Sequence, residues 1–112
     1  MGARTADPRL QKALAILRKE FATVTLADVG RRSGLSARSL HRLFLQEVEM
    51  SPKDLILLLR VERAKALLLD PRATVTDVAP QVGYGSLSKF IATFKKIEGM
   101  LPSDYRNGSK LR

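Results

Sequence analysis

Leu10, Leu14, Leu17 and Phe21 follow one another at steps of four, three and four residues, the spacing of one face of an α-helix. Asp7 and Pro8 stand just ahead of them as an N-cap and first-turn pair, so a helix is predicted over about 8–22. Thr25 with Asp28 three residues on is a second start signal. The threonine oxygen accepts a first-turn N–H, and the aspartate can reach back to the cap. A short helix over 26–33 follows, and Gly34 ends it, because glycine readily takes the left-handed conformation that turns a chain off a helix end. Ser36 then caps a helix with an apolar stripe of Leu40, Leu43, Phe44 and Val48, while Arg38, His41, Arg42 and Gln46 lie elsewhere on its surface.

The same order of signals recurs. Ser51 and Pro52 open a helix running to Leu69, about 17 residues and roughly 26 Å long at 1.5 Å per residue. Asp70 and Pro71 stop it, since the residue before a proline is driven out of the α region. Thr74 with Asp77 starts the next helix at Val75, Gly83 ends it, and after a turn at Gly85 and Ser86 the inward residues are Phe90, Phe94 and Ile97. Gly99 terminates that helix, a short one over 102–107 follows, and the rest is expected to be a loose basic tail, as residues 1–6 are expected to be a frayed start. Thr25, Asp28, Val29 and Gly34 reappear 49 positions later as Thr74, Asp77, Val78 and Gly83. Phe44, Met50, Pro52 and Asp54 reappear 50 positions later as Phe94, Met100, Pro102 and Asp104, so one residue was inserted within the second copy. A short helix, a tight turn and a longer helix with one inward face make a helix-turn-helix, and a repeated pattern makes two. The expected fold is all-α, with about seven helices: a first subdomain over 8–50, a linker helix over 51–70 and a second subdomain over 71–107.

At 112 residues the chain fits one domain, or two small ones of marginal independent stability. Twenty basic residues against 11 acidic give a net charge of +9, which favours a polyanionic partner, nucleic acid ahead of an anionic membrane surface. The absence of cysteine removes disulfides, thiolate metal sites and thiol nucleophiles, and fits the cytoplasm. The longest apolar run, Leu55 to Leu59, spans no membrane, and no signal peptide opens the chain.

Each repeat, taken alone, is also compatible with a helical hairpin that binds nothing; the placement of charge separates the two readings. Arg38, His41 and Arg42 stand at i, i+3 and i+4 on the second helix of the first copy, with Arg31 and Arg32 just before the turn. A helix lying in a major groove presents such a face, and arginine there can grip guanine O6 and N7 with two hydrogen bonds. The competing reading of Arg38 and Arg42 is a solvated face, and that of His41 a surface residue without a role. A metal site is not expected, because no cysteine or second histidine shares the ion. No phosphate-cradling glycine loop is present, and no enzyme or cofactor is expected.

Ser33-Gly34-Leu35-Ser36, Leu40 to Phe44, Met50-Ser51-Pro52, Arg60 to Ala64, Leu67 to Asp70, Val75 to Ala79, Val82-Gly83-Tyr84, Phe90, Phe94-Lys95 and the closing Pro102 to Arg106 (PSDYR) together resemble the DNA-binding domain of AraC/XylS-family bacterial transcription regulators. The resemblance covers about residues 8–107. It implies two helix-turn-helix units joined by the long central helix, with recognition helices in successive major-groove segments about one helical turn, roughly 34 Å, apart. It implies a bacterial cytoplasmic protein, associated with the nucleoid when bound, whose partner is double-stranded promoter DNA, with RNA polymerase a further partner. The isolated domain is then a monomer and a full-length protein a dimer. Carried over by position, the base-facing residues are Arg38, His41 and Arg42 in the first unit and Leu87, Ser88, Lys89 and Ala92 in the second. Ser36, Lys95 and Lys96 become phosphate contacts.

Several residues depart from the family pattern. Leu87 and Ala92 replace polar or basic readers, leaving the second copy methyl contacts but few hydrogen bonds. Pro80 falls at about the sixth position of a scaffold helix, where a proline can cost about 3 kcal/mol. Gly30 replaces an alanine at up to about 1 kcal/mol, Glu49 stands where the second copy has Gly99, and Leu101 replaces a capping serine. Leu57 and Leu58 replace basic residues; if exposed they form an apolar patch for another protein, and otherwise they pack against neighbouring helices. The first copy is expected to supply most base discrimination. A rival from another class is an interaction module that keeps the fold and contacts a protein, with Pro80 and the Leu57/Leu58 pair as its motive.

Overall fold

The computed structural model describes residues 7–110, which form helices and, among the described residues, no strand. The helices are α1 (Pro8–Glu20), α2 (Leu26–Ser33), α3 (Ala37–Leu43), α4 (Pro52–Leu67), α5 (Val75–Gln81), α6 (Leu87–Glu98) and α7 (Pro102–Lys110), with a π-helical segment, Phe44–Val48, continuing α3. A boundary between Ile56 and Leu57, inside α4, separates two compact units. The expected frayed start, residues 1–6, lies outside the described residues.

In the first unit the Asp7 carboxylate accepts the Arg9 N–H at 2.9 Å and starts α1. Leu10, Leu14 and Leu17 are buried as their spacing requires, joined by Ala13 and Ile16, whereas Phe21 falls just beyond the helix and is half-buried. Thr25 Oγ1 accepts the Asp28 N–H at 3.1 Å. The reciprocal half of that expected cap does not form, because the Asp28 carboxylate pairs with Arg31 one turn on. Gly34 ends α2 in the left-handed region at φ 78°. Gly30 is buried in α2, and a Cβ there would stand 2.7 Å from the Leu35 carbonyl oxygen. The expected penalty for glycine is therefore reversed: this close approach of backbone to backbone requires it.

Ser36 Oγ accepts the Ser39 N–H at 3.1 Å and starts α3. Leu40 and Phe44 are buried, while Leu43 and Val48 are half-buried. The helix widens over its last turn, where the Glu49 N–H reaches back five residues to the Phe44 carbonyl at 2.9 Å. Glu49 then turns the chain at φ 67°, the one non-glycine residue with positive φ among those described.

Ser51 Oγ accepts the Asp54 N–H at 3.0 Å and opens α4. The helix ends at Leu67, two residues short of the expected Leu69. Tighter bonds from Leu69 N–H to Ala66 and from Asp70 N–H to Leu67 close it early, and the Asp70 carboxylate turns outward to accept from Arg72 at 2.9 Å. Leu57 and Leu58 are half-buried.

In the second unit Thr74 Oγ1 accepts the Asp77 N–H at 3.0 Å, and α5 continues past Pro80 to Gln81. The proline removes one donor near the C-terminal end, where Val82 N–H still reaches Val78 at 3.2 Å and the Gln81 amide covers the Asp77 carbonyl at 3.0 Å. That placement is why the proline does not break the element. Gly83 follows at φ 101°. Val61, Ala64, Leu68, Val78, Ala79, Val82, Phe90 and Phe94 make the core, with Ile97 and Tyr105 packed against it. Tyr84, Phe90, Phe94 and Tyr105 run through it as consecutive ring contacts of 5.6, 5.9 and 5.9 Å. Gly99 ends α6 at φ 83°. The expected loose tail is instead partly helical: α7 runs through Gly108 to Lys110 rather than stopping at Asn107.

Candidate nucleic-acid interface

The second helices of the two helix-turn-helix units, α3 and α6, differ in how they present the residues expected to face DNA. In α3 the side chains of Arg38, His41 and Arg42 are exposed and take part in no ion pair among the described residues. At about 100° per residue, Arg38 lies about 40° from Arg42 around the helix, and His41 about 100° from it. The two arginines therefore form the centre of the outward face. His41 stands on its flank, bordering a cavity of about 380 Å³ walled by Leu26, Leu40 and Pro52. Ser36 is exposed, and while its oxygen accepts the Ser39 N–H its O–H remains able to donate.

On α6 the residues Leu87, Ser88, Lys89, Ala92, Lys95 and Lys96 are all exposed. With Ala92 as reference, Ser88 lies about 40° to one side and Lys95 about 60° to that same side, with Lys96 about 40° and Lys89 about 60° to the other. Two small residues thus occupy the middle of the face between flanking lysines. Leu87 is about 140° away from Ala92. It sits at the N-terminal end of the helix, 40% exposed, beside a cavity of about 220 Å³ that it lines with Val75, Ile91, Leu101 and Pro102. The structure thus groups Ser88, Lys89, Ala92, Lys95 and Lys96 on one face and sets Leu87 apart from it.

The basic residues before the first turn are exposed but have carboxylate partners within the protein. Arg32 makes two bonds of 2.7 Å to the Glu20 carboxylate, tying α2 to the end of α1. The hydrogen bonds from Arg32 hold the Glu20 carboxyl below its usual range, and the same bonds raise the Arg32 guanidinium above its own. Arg31 pairs with Asp28 while remaining largely exposed. The second unit uses a tie that local sequence patterns do not disclose: Lys65 of α4 reaches Glu98 at the end of α6 at 3.2 Å and Glu62 at 3.3 Å. Its partners are separated by 33 positions in one case, beyond any helical spacing. The bond to Glu98 is the main cause of a raised Lys65 pKa.

Among the described residues no cluster of histidine, aspartate and glutamate is placed to hold a metal, and no helix is long and apolar enough to cross a membrane.

A helix-turn-helix domain family matches residues 29–108, most of the chain and both units. The chain belongs to the AraC-type helix-turn-helix family. It is a DNA-binding domain of the kind found in transcription regulators. Similar proteins include the HTH-type transcriptional activator RhaS of Citrobacter koseri, 33% identical over 108 residues that cover 96% of this chain and 39% of that protein. The melibiose operon regulatory protein of Escherichia coli is 33% identical over 89 residues, covering 80% of this chain and 30% of that protein. The chain thus spans between about three tenths and two fifths of the length of these relatives. Among solved structures, the C-terminal domain of AraT, a response regulator from Geobacillus stearothermophilus, matches with a TM-score of 0.87 at 30% identity, over 94% of this chain and 88% of that one. The DNA-binding domain of AdpA, solved in complex with a target DNA, shares the fold with a TM-score of 0.86 at 24% identity, over 96% of both chains.

Proposed function

We propose that this AraC-type domain binds promoter DNA through both units, each recognition helix entering its own major-groove segment, and that the first helix is the main base reader. The observation that supports this reading is the unequal chemistry of two equivalent faces. Arg38 and Arg42 are exposed and unpaired at the centre of α3, where α6 carries Ser88 and Ala92. Guanidinium groups at the centre of a groove-facing surface can make bidentate bonds to guanine, whereas serine and alanine cannot. Lys95 and Lys96, on the outer side of α6, suit phosphates, which add affinity without sequence information. Ser36 at the start of α3 serves as a further phosphate donor, and His41 on the flank contacts the edge of the same groove.

Alanine substitution separates the two kinds of contact. Arg38→Ala or Arg42→Ala is expected to cost about 1–3 kcal/mol at particular base pairs and to relax preference there. Lys95→Ala or Lys96→Ala is expected to weaken every sequence alike and to flatten the salt slope by about one unit. Fluorescence anisotropy with matched and scrambled duplexes over a salt series measures both quantities. Equal, sequence-independent losses from both classes would remove the division of labour. The rival interaction-module reading loses one of its motives, because Leu57 and Leu58 are half-buried.

A further inference from the structure

We propose that the second unit reads the C5-methyl group of thymine through Ala92, at the centre of the outward face of α6. This rests on the proposal that α6 enters a major groove. The middle of its outward face holds only Ala92 and Ser88, both exposed, and α6 is started by Ser86, whose Oγ accepts the Lys89 N–H at 3.3 Å. Lys89 and Lys96 flank Ala92 on one side and Lys95 on the other, all exposed and without ion-pair partners among the described residues. Lysines on both flanks can reach the two phosphate walls of a groove, and small side chains between them let the helix backbone approach the base edges.

What that approach can distinguish follows from the groups available. A serine hydroxyl donates and accepts, so Ser88 is satisfied by several base edges and selects none strongly. The Ala92 methyl has no hydrogen-bonding capacity, and the thymine methyl is the apolar group that the major groove offers. Leu87, about 140° from Ala92, stands off this face and takes no part in the contact. It is 40% exposed, and Val75, Ile91, Leu101 and Pro102 line the cavity beside it. The equivalent positions in the first unit carry Arg38 for Ser88 and Arg42 for Ala92. The apolar character is therefore particular to the second unit and is not inherited from the repeat.

Uracil in place of thymine removes the methyl and leaves the pairing unchanged, which makes the test independent of folding. With the intact chain and a duplex recovered from a random pool, each thymine is replaced in turn by uracil and affinity is measured by anisotropy. One thymine in the segment contacted by the second unit is expected to lose about three- to fivefold on replacement, the size of one methyl removed from apolar contact. Ala92→Gly is expected to lower affinity for the thymine duplex and to blunt the effect of uracil at the thymine it contacts, whereas Leu87→Ala, off that face, is expected to leave the uracil effect unchanged. Circular dichroism confirms that each variant is folded. Undiminished binding to fully uracil-substituted duplex overturns the methyl reading while leaving DNA binding intact, as does full uracil sensitivity retained in the folded Ala92→Gly variant. Absence of duplex binding at low salt overturns this inference together with the reading on which it rests.

Discussion

Two residues of equivalent backbone show how side-chain identity and chain conformation disagree locally. Glu49 and Gly99 both end the second helix of a helix-turn-helix unit in the left-handed region, at φ 67° and 83°. A non-glycine residue there costs about 1–2 kcal/mol, and glycine recovers most of it while adding some freedom to the unfolded chain. Glu49→Gly is therefore expected to stabilise the first unit by about 0.5–1 kcal/mol, read as a rise in the denaturation midpoint; a fall would mean that the glutamate side chain supplies a contact outweighing its backbone strain. Gly30 reverses the same logic. Helix propensity alone favours alanine by up to about 1 kcal/mol. Its Cβ, however, would meet the Leu35 carbonyl oxygen at 2.7 Å, in a turn where the Leu35 N–H also bonds the Gly30 carbonyl at 2.8 Å. Forcing that turn apart costs more than the propensity returns, so Gly30→Ala is expected to lose about 1 kcal/mol in urea denaturation. A gain in stability would show that the turn gives way freely.

The elements were legible where one residue type has one physical use. Threonine and serine caps, helix-ending glycines and apolar stripes at helical spacing placed α2 at 26–33 and the start of every other helix to within a residue, because each signal acts within one turn. What was not legible depends on partners distant in sequence. The widened last turn over Phe44–Val48 and the ties Arg32–Glu20 and Lys65–Glu98 carry no local mark. In the site, the spacing of Arg38 and Arg42 marks the centre of one face, and the same spacing sets Leu87 about 140° from Ala92; its place beside an apolar cavity depends on Val75, Leu101 and Pro102 from other segments of the chain. Arg32 looked available to DNA until its carboxylate partner was seen. That pair joins two elements and makes a pH prediction. Hydrogen bonds from Arg32 hold the Glu20 carboxyl below its usual range, and a depressed carboxyl contributes stability that is present above the unfolded-state pKa of about 4.3 and is lost as pH falls through the folded-state value. Thermal melts of the chain and of Glu20→Gln should therefore differ near pH 7 and converge below about pH 4. A difference that stays constant to pH 3 would show that the pair does not link α1 to α2 in solution.

At the scale of the whole molecule, the proposed function assigns the net charge of +9 and the two unequal faces to different properties of binding. Lysine contacts to phosphate release counterions from any sequence, so they set affinity and its salt dependence but leave preference unaltered. Preference comes from base edges, where a bidentate arginine–guanine pair distinguishes bases by about 1–3 kcal/mol and one methyl contact by about 0.8 kcal/mol. Since 1.4 kcal/mol is a factor of ten, the arginine positions should discriminate by roughly tenfold or more and the methyl positions by roughly fourfold. Selection from a random duplex pool is then expected to return a motif with one strongly constrained, guanine-containing block and one weaker, thymine-containing block. Repeating the selection at higher salt should lower the recovered affinities together while preserving the ratio between the blocks, because the phosphate contribution is common to all sequences. Two blocks of equal constraint would mean that Ser88, Lys89 and their neighbours read bases as strongly as Arg38 and Arg42, and a single block would mean that the second unit touches only the backbone.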